Sequence, residues 1–222
     1  MGQLVAAEAH KAGDDVGTFI TSEDSVQDVN LLSEKLRGHD VAIDFSVAAA
    51  VLKSIDACAR ASVPLVEGTT GWNDHLSEAR KIIERQGGSL VYGANFSIGV
   101  NIFYRIVEQA ATLFAAVDEY AAFIEEAHHS RKRDAPSGTA LRLREVMSKH
   151  LGKEIPTSST RAGSIPGTHR VGFDSVADQI MLTHEARSRQ GFAAGALLAA
   201  HWIIGRTGIY EFSEVMEEIL EK

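Results

Sequence analysis

Apolar and polar positions recur in two rhythms along this chain, and the rhythm changes near Asn95. In residues 1–12, Leu4, Val5 and Ala9 fall at helical spacing and Gly13 with Asp14 and Asp15 ends the run, so the chain opens on a helix with no strand before it. Residues 16–21 read as a short strand, and 29–36 as a helix ended by Gly38. A second apolar strand covers 41–45, followed by Ser46 as candidate N-cap of a helix running to about Ala61. Residues 64–67 are a third strand, 75–86 a helix stopped by Gly87-Gly88, and 89–92 a fourth strand. Strands and helices that alternate through short links predict a parallel sheet covered on both faces, a Rossmann-like α/β domain.

Beyond Asn95, Ile102, Phe103, Ile106, Val107, Ala110, Leu113, Phe114 and Val117 recur every three or four residues as one long amphipathic helix, so a second domain starts near Ile98. Residues 120–124 form a strand leading into His128-His129, 139–150 a helix, and 158–168 a polar loop. Strands follow at 171–173 and 179–186, then helices at 191–204 and 213–220.

With 222 residues and 45% hydrophobic content, the chain has enough apolar material for one large or two modest cores. A net charge of -8 argues against nucleic-acid binding, which needs a clustered basic surface. The single cysteine, Cys58, makes no intrachain disulfide and fits a reducing compartment. The sequence has no apolar run of bilayer length and no leader pattern, so it reads as cytoplasmic with no membrane partner.

In a parallel sheet, ligands bind beyond the carboxyl ends of the strands. Those ends here are Thr21-Ser22, Phe45-Ser46, Gly68-Thr69-Thr70 and Gly93-Ala94-Asn95-Phe96, where small residues and hydroxyls admit a planar ring or a phosphate. The densest chemistry lies at 125–141. His128, His129 and Lys132 are candidate proton donors whose ordinary pKa values bracket neutrality. Pro136 followed by Ser137, Gly138 and Thr139 opens a helix and makes a seat for a carboxylate, which Lys132 and a ring nitrogen of His129 complete for a small dicarboxylate. Asp134 reads as an orienting or turn residue. No HExxH or Cys/His spacing accompanies the histidines, so no metal is assigned.

The run Glu-Ala-His-His-x-x-Lys-x-Asp-Ala-Pro-Ser-Gly-Thr-Ala at 126–140 resembles the signature of the 4-hydroxy-tetrahydrodipicolinate (dihydrodipicolinate) reductases of the diaminopimelate route to lysine. Asp44-Phe45-Ser46, Gly68-Thr69-Thr70-Gly71, residues 95–101, Pro166-Gly167-Thr168-His169, Ser188-Arg189 and Gly191-Phe192-Ala193 are similar to further segments of that family, in its order. The resemblance implies hydride transfer from NADPH or NADH and a homotetramer. It implies a discontinuous dinucleotide-binding domain, 1–97 with 190–222, around an α+β substrate-binding and oligomerisation domain, 98–189. It assigns proton transfer to His128 and Lys132, and substrate contacts to His129, Lys132, Ser137, Gly138 and Thr139. Gly2, Thr21, Ser22, Phe45, Gly68, Thr69, Thr70, Gly93, Ala94, Asn95 and Phe96 are left to border the cofactor.

The family opens with a strand and a Gly-x-x-Gly-(Arg/Lys)-Met-Gly loop, of which Met1-Gly2 remain; roughly ten residues, with the first strand and most of the pyrophosphate cradle, are absent relative to that pattern. Thr21-Ser22 stand where NAD-preferring domains place an acid, which points to NADPH or to neither nucleotide, and the link from there to Val41 is short for the family. Two other readings stand beside the leading one: a different Rossmann-type reductase of a small dicarboxylate, and an oligomerising remnant that holds a dicarboxylate without nucleotide.

Overall fold

The structure, a computed structural model, describes residues 1–25 and 28–221. Its contacts divide the chain into two units, Met1–Ile98 with Gln190–Lys222, and Gly99–Arg189. In chain order the first unit supplies α1 (Gly2–Ala12), α2 (Ser22–Ser25), α3 (Val29–Leu36), β1 (Ala42–Asp44), α4 (Val51–Ala61), β2 (Leu65–Glu67), α5 (Leu76–Gln86) and β3 (Ser89–Tyr92). The chain continues through α6 (Ile98–Phe114), β4 (Ala121–His128), α7 (Gly138–Leu151), β5 (Thr157–Arg161), β6 (Thr168–Asp174) and β7 (Gln179–Glu185). It then returns to the first unit with α8 (Gln190–Ile203), β8 (Gly208–Glu211) and α9 (Phe212–Leu220).

In the first unit the order is β1-β2-β3-β8, all parallel, with Ala42 beside Leu65, Leu65 beside Leu90 and Leu90 beside Ile209. Every residue of β2 is buried, as a strand covered on both faces requires. Val51 and Ile55 of α4, Leu32 and Leu36 of α3, and Trp72 close one face of the core around Leu65 and Leu90. Residues 16–21 form no strand. Their side chains favour one, but a strand is a pairing property, and this segment joins no ladder among the described residues, with Phe19 and Ile20 exposed. Ser46 is not the N-cap of α4. Its N–H donates to the Asp44 side chain at 2.7 Å, and a short 3-10 turn over Ala48–Ala50 leads into the helix instead. The reading also missed β8, whose few residues between Gly208 and the helix α9 carry too little pattern to be seen without their neighbour β3.

The second unit is a mixed sheet in the order β5-β4-β6-β7, parallel between β4 and β5 and antiparallel elsewhere. Helices α6 and α7 supply Phe103, Val107, Leu143 and Met147 to a core with Ile124, Val171 and Phe173. Phe114 stacks on Phe173 with ring centroids 4.1 Å apart. Part of the expected 158–168 loop is strand: β5 occupies its start, and β6 begins at Thr168. The serines and threonines of β5 are exposed or half-buried, so no apolar alternation marks it, and pairing with β4 alone makes it a strand. The strand β4 continues past Ile124 to His128, which puts Glu126 and His128 on one face and turns both inward. No helix among the described residues is long and apolar enough to cross a membrane.

Candidate active site

The end of β4 carries a buried polar network. Glu126 and His128 are 3% and 9% exposed, and the Nδ1 of His128 lies in a short hydrogen bond with Glu126 Oε2. Arg161, at the end of the neighbouring β5, grips the same carboxylate with both ends of its guanidinium, at 2.6 and 2.9 Å. The Ser137 N–H donates to Glu126 Oε1 at 3.3 Å. Burial alone would raise the Glu126 carboxyl, but Arg161, the Ser159 hydroxyl and His128 outweigh it and hold it down to about 2. Glu126 is therefore a carboxylate, neutralised by one guanidinium.

His169 stands opposite Glu126 in the β4/β6 register, and its ring meets that of His128 edge-on at 5.1 Å. Its Nε2 lies 3.1 Å from Ser137 Oγ. Burial first, then the nearby cations and imidazoles, lower His169 to about 4, so it is neutral at ordinary pH. His128 is also lowered by burial, with Lys132 and Arg161 adding to the effect and Glu126 opposing it. The β6/β7 register sets His184 beside His169, extending the row of imidazoles.

Glu126, His128 and His169 offer one donor atom each within 4.8 Å of one another. Both oxygens of Glu126 are already engaged, and a cation there would compete with Arg161 for them. The donor set suits a hydrogen-bond network better than a metal.

After β4 the chain turns, with the Lys132 N–H donating to the His129 carbonyl at 3.1 Å. Lys132 Nζ pairs with Asp134 at 2.9 Å, which gives the aspartate the orienting part read for it. The Nδ1 of His129 is buried with no hydrogen-bond partner among the described residues. Pro136 lies one residue outside the helix, after a cis Ala135–Pro136 peptide, and is not its first residue. Ser137 is the N-cap: its Oγ accepts the Ala140 N–H at 3.2 Å, and Gly138 opens α7. The positive end of a 14-residue helix thus lies at Gly138 and Thr139, with no acidic residue in its first turn. The Thr139 hydroxyl bonds Tyr104 of α6.

Sequence reasoning left Glu126, Arg161 and His169 without roles. Glu126 and His169 lay inside the quoted motifs, and period-two spacing from His128 could have marked Glu126 as its partner. Arg161 had no such signal, since it was read as loop.

In the first unit, the residues expected to border a nucleotide divide into open and packed ones. Gly2 is the first residue of α1, where an added Cβ would meet nothing within 4 Å and the first turn holds no acid. Thr70 and Ala94 are exposed. Gly68 lies under the Phe45 ring, whose Cε1 would be 2.1 Å from an added Cβ. Gly93 is buried against Phe96 and Phe212. Phe96, 1% exposed, packs on Phe45 and Phe212, so its ring belongs to the core. Thr69 also turns inward, its N–H bonding Glu67 at 2.7 Å and its carbonyl accepting the Trp72 indole at 2.9 Å. Asn95 Oδ1 accepts the Ser97 N–H at 2.9 Å and shapes the turn after β3. Thr21 spends its N–H and hydroxyl on Asp24, which also pairs with Lys35. An acid absent from the strand end in sequence is thus present three residues on, already neutralised. The Ser22 side chain lies outside what the structure describes.

The family model for the N-terminus of dihydrodipicolinate reductase matches residues 1–96, and that for its C-terminus matches 99–216. The chain is 39% identical to the 4-hydroxy-tetrahydrodipicolinate reductase of Christiangramia forsetii, over 82% of this chain and 81% of that one. It is 38% identical to the Methanosarcina mazei protein of the same name, over 96% and 89%. Among solved structures, a dipicolinate-bound dihydrodipicolinate reductase from Paenisporosarcina sp. TG-14 superposes with a TM-score of 0.70 at 21% identity, over 93% of this chain and 84% of that one. An amine dehydrogenase from Mycobacterium smegmatis gives 0.55 at 10% identity, over 96% and 92%, a likeness of fold alone.

Proposed function

This chain belongs to the dihydrodipicolinate reductase family, and from that premise we propose how its own residues divide the work of the reaction. The reaction is reduction of 4-hydroxy-tetrahydrodipicolinate to tetrahydrodipicolinate in the diaminopimelate route of lysine biosynthesis, with NADPH or NADH as donor. Hydride and a proton enter, and water leaves. When bound, the reduced nicotinamide supplies the hydride. The chain supplies binding, orientation and protons.

The observation that carries the assignment is the seat made by α7 and the turn before it. A substrate carboxylate takes the N-terminus of α7 at Gly138 and Thr139, where the helix charge favours an anion. Lys132, ion-paired with Asp134, brings its ammonium to the turn before α7, and the unpaired Nδ1 of His129 offers one more polar contact. His128 accepts a proton at Nε2 and returns it as water leaves, and Lys132 delivers the one proton that enters with the hydride. Gly2, Thr70, Ala94 and the turn at Asn95 are the positions that fit the nucleotide. We read the protein as a cytoplasmic homotetramer; support for self-association is the edge strand β7, where Ile180 is exposed.

Titrations with pyridine-2,6-dicarboxylate and with NADPH test the reading. Binding of both, with nucleotide oxidation when substrate is supplied, is the expected result. Dicarboxylate binding alone favours the non-catalytic reading, and binding of neither refutes the assignment. Lys132→Ala should lower turnover by about 100-fold or more with the fold intact, and near-normal turnover removes Lys132 from its role.

A further inference from the structure

We infer that Glu126, clamped by Arg161, is the positioning residue of this reaction: it accepts a hydrogen bond from the Nδ1–H of His128 and leaves Nε2 as the working nitrogen of the ring. The inference deepens the proposed function and rests on its assignment of His128.

Glu126 is a carboxylate and so accepts only. The ring nitrogen bonded to it must therefore carry hydrogen, which fixes the neutral imidazole as the Nδ1–H tautomer. Glu126 cannot rotate away, because Arg161 holds both its oxygens and the Ser137 N–H holds one. Arg161 is itself fixed by donating to the Asp134 carbonyl at 2.6 Å and the Thr160 carbonyl at 2.8 Å. The orientation of His128 is thus set from strand β5 and from the N-cap of α7 as well as from its own strand.

The other end of the ring is kept clear. Nε2 faces Gly167, where an added Cβ would approach it to 3.2 Å, and the backbone there has a φ of 144° that favours glycine. A side chain at 167 would crowd the nitrogen that the reaction uses.

Charge balance completes the case. The groups facing His128 are Glu126 from β4, Arg161 from β5, His169 from β6 and Lys132 from the turn. His169 is neutral, and Arg161 cancels the Glu126 charge. An unclamped carboxylate would pull a second proton onto the imidazole; this one orients it without doing so. His128 rests neutral, with a lone pair at Nε2 that can accept a proton and then return it while Glu126 stabilises the transient imidazolium.

Imidazole 15N NMR of the full-length protein, with the His128 signals assigned by His128→Asn, reads the tautomer directly. Protonated Nδ1 and bare Nε2 are expected, and an Nε2–H tautomer overturns the inference whatever any variant does. In Glu126→Gln the amide no longer demands the Nδ1 proton and no longer stabilises the imidazolium. Its kcat should fall about 10–100-fold, and the acid limb of the pH profile should move to lower pH. KM and pyridine-2,6-dicarboxylate affinity should stay within about twofold, and Glu126→Asp should recover part of the loss. A folded Glu126→Gln with unchanged kcat and pH profile, or with only KM raised, leaves Glu126 a structural residue. Loss of dicarboxylate binding by the native protein would instead defeat the proposed function, so the two failures are distinguishable.

Discussion

Glu67 ends β2 fully buried, next to Asp44 in the β1/β2 register. Its Oε1 accepts the Thr69 N–H, and burial, with Asp44 second, pushes its carboxyl from 4.5 up to about 8. The native state therefore holds a proton on Glu67 that the unfolded chain releases above about 4.5. A folded pKa raised above the unfolded one contributes stability that is complete below 4.5 and is lost as pH climbs to about 8. At about 1.4 kcal/mol per unit, the roughly 3.5 units between them amount to about 5 kcal/mol, an upper figure for an interior that relaxes. Glu67→Gln keeps the shape and the acceptor for Thr69, gives Asp44 a donor, and cannot ionise. The sequence holds two tryptophans, Trp72 and Trp202, and both belong to the first unit, so urea unfolding followed by tryptophan fluorescence reports on this unit. Between pH 5.5 and 7.5 the native protein should lose about 1.4 kcal/mol per pH unit relative to Glu67→Gln, and the difference should level off above about 8. Parallel stability curves for the two proteins across that range would falsify the buried-proton argument. Cys58, whose thiol is raised first by burial and then by the nearby Asp44 carboxylate, should stay unreactive to thiol reagents in the native protein throughout.

Two further substitutions test local geometry. Gly68→Ala places a methyl against the Phe45 ring, so unfolding stability should fall by about 1–3 kcal/mol and NADPH affinity should drop; an unchanged melting curve and affinity would show that Phe45 moves freely. Ser137→Ala removes the cap of α7 and the partner of His169; about 1 kcal/mol of stability and a measurable part of pyridine-2,6-dicarboxylate affinity should be lost in calorimetry, whereas full affinity would mean that the seat does not depend on its cap.

Much of this protein is local in origin and was legible without coordinates. The runs around α4, α5, α6 and α7 have the period of a helix, and α5 and α7 end in glycines at positive φ, Gly87 and Gly152, where the backbone needs them. The compact motif at 126–140 carries its chemistry within fifteen neighbouring positions, so candidate proton donors and a candidate anion seat could be picked out in the sequence. Pairing and charge balance are different, because they are set by residues far apart in the chain. Residues 16–21 look like a strand and pair with none among the described residues, whereas Thr157–Arg161 looks like a loop and becomes a strand beside β4. Three of the four strand ends expected from sequence, those at 45, 68 and 93, follow strands, but only packing decided that Phe96 and Thr69 turn inward while Thr70 and Ala94 stay open. His128 could be chosen from the motif. Which of its nitrogens works is decided by Glu126 two residues before it and Arg161 on the next strand, because a tautomer is fixed by the partner across space and not by the neighbour in sequence.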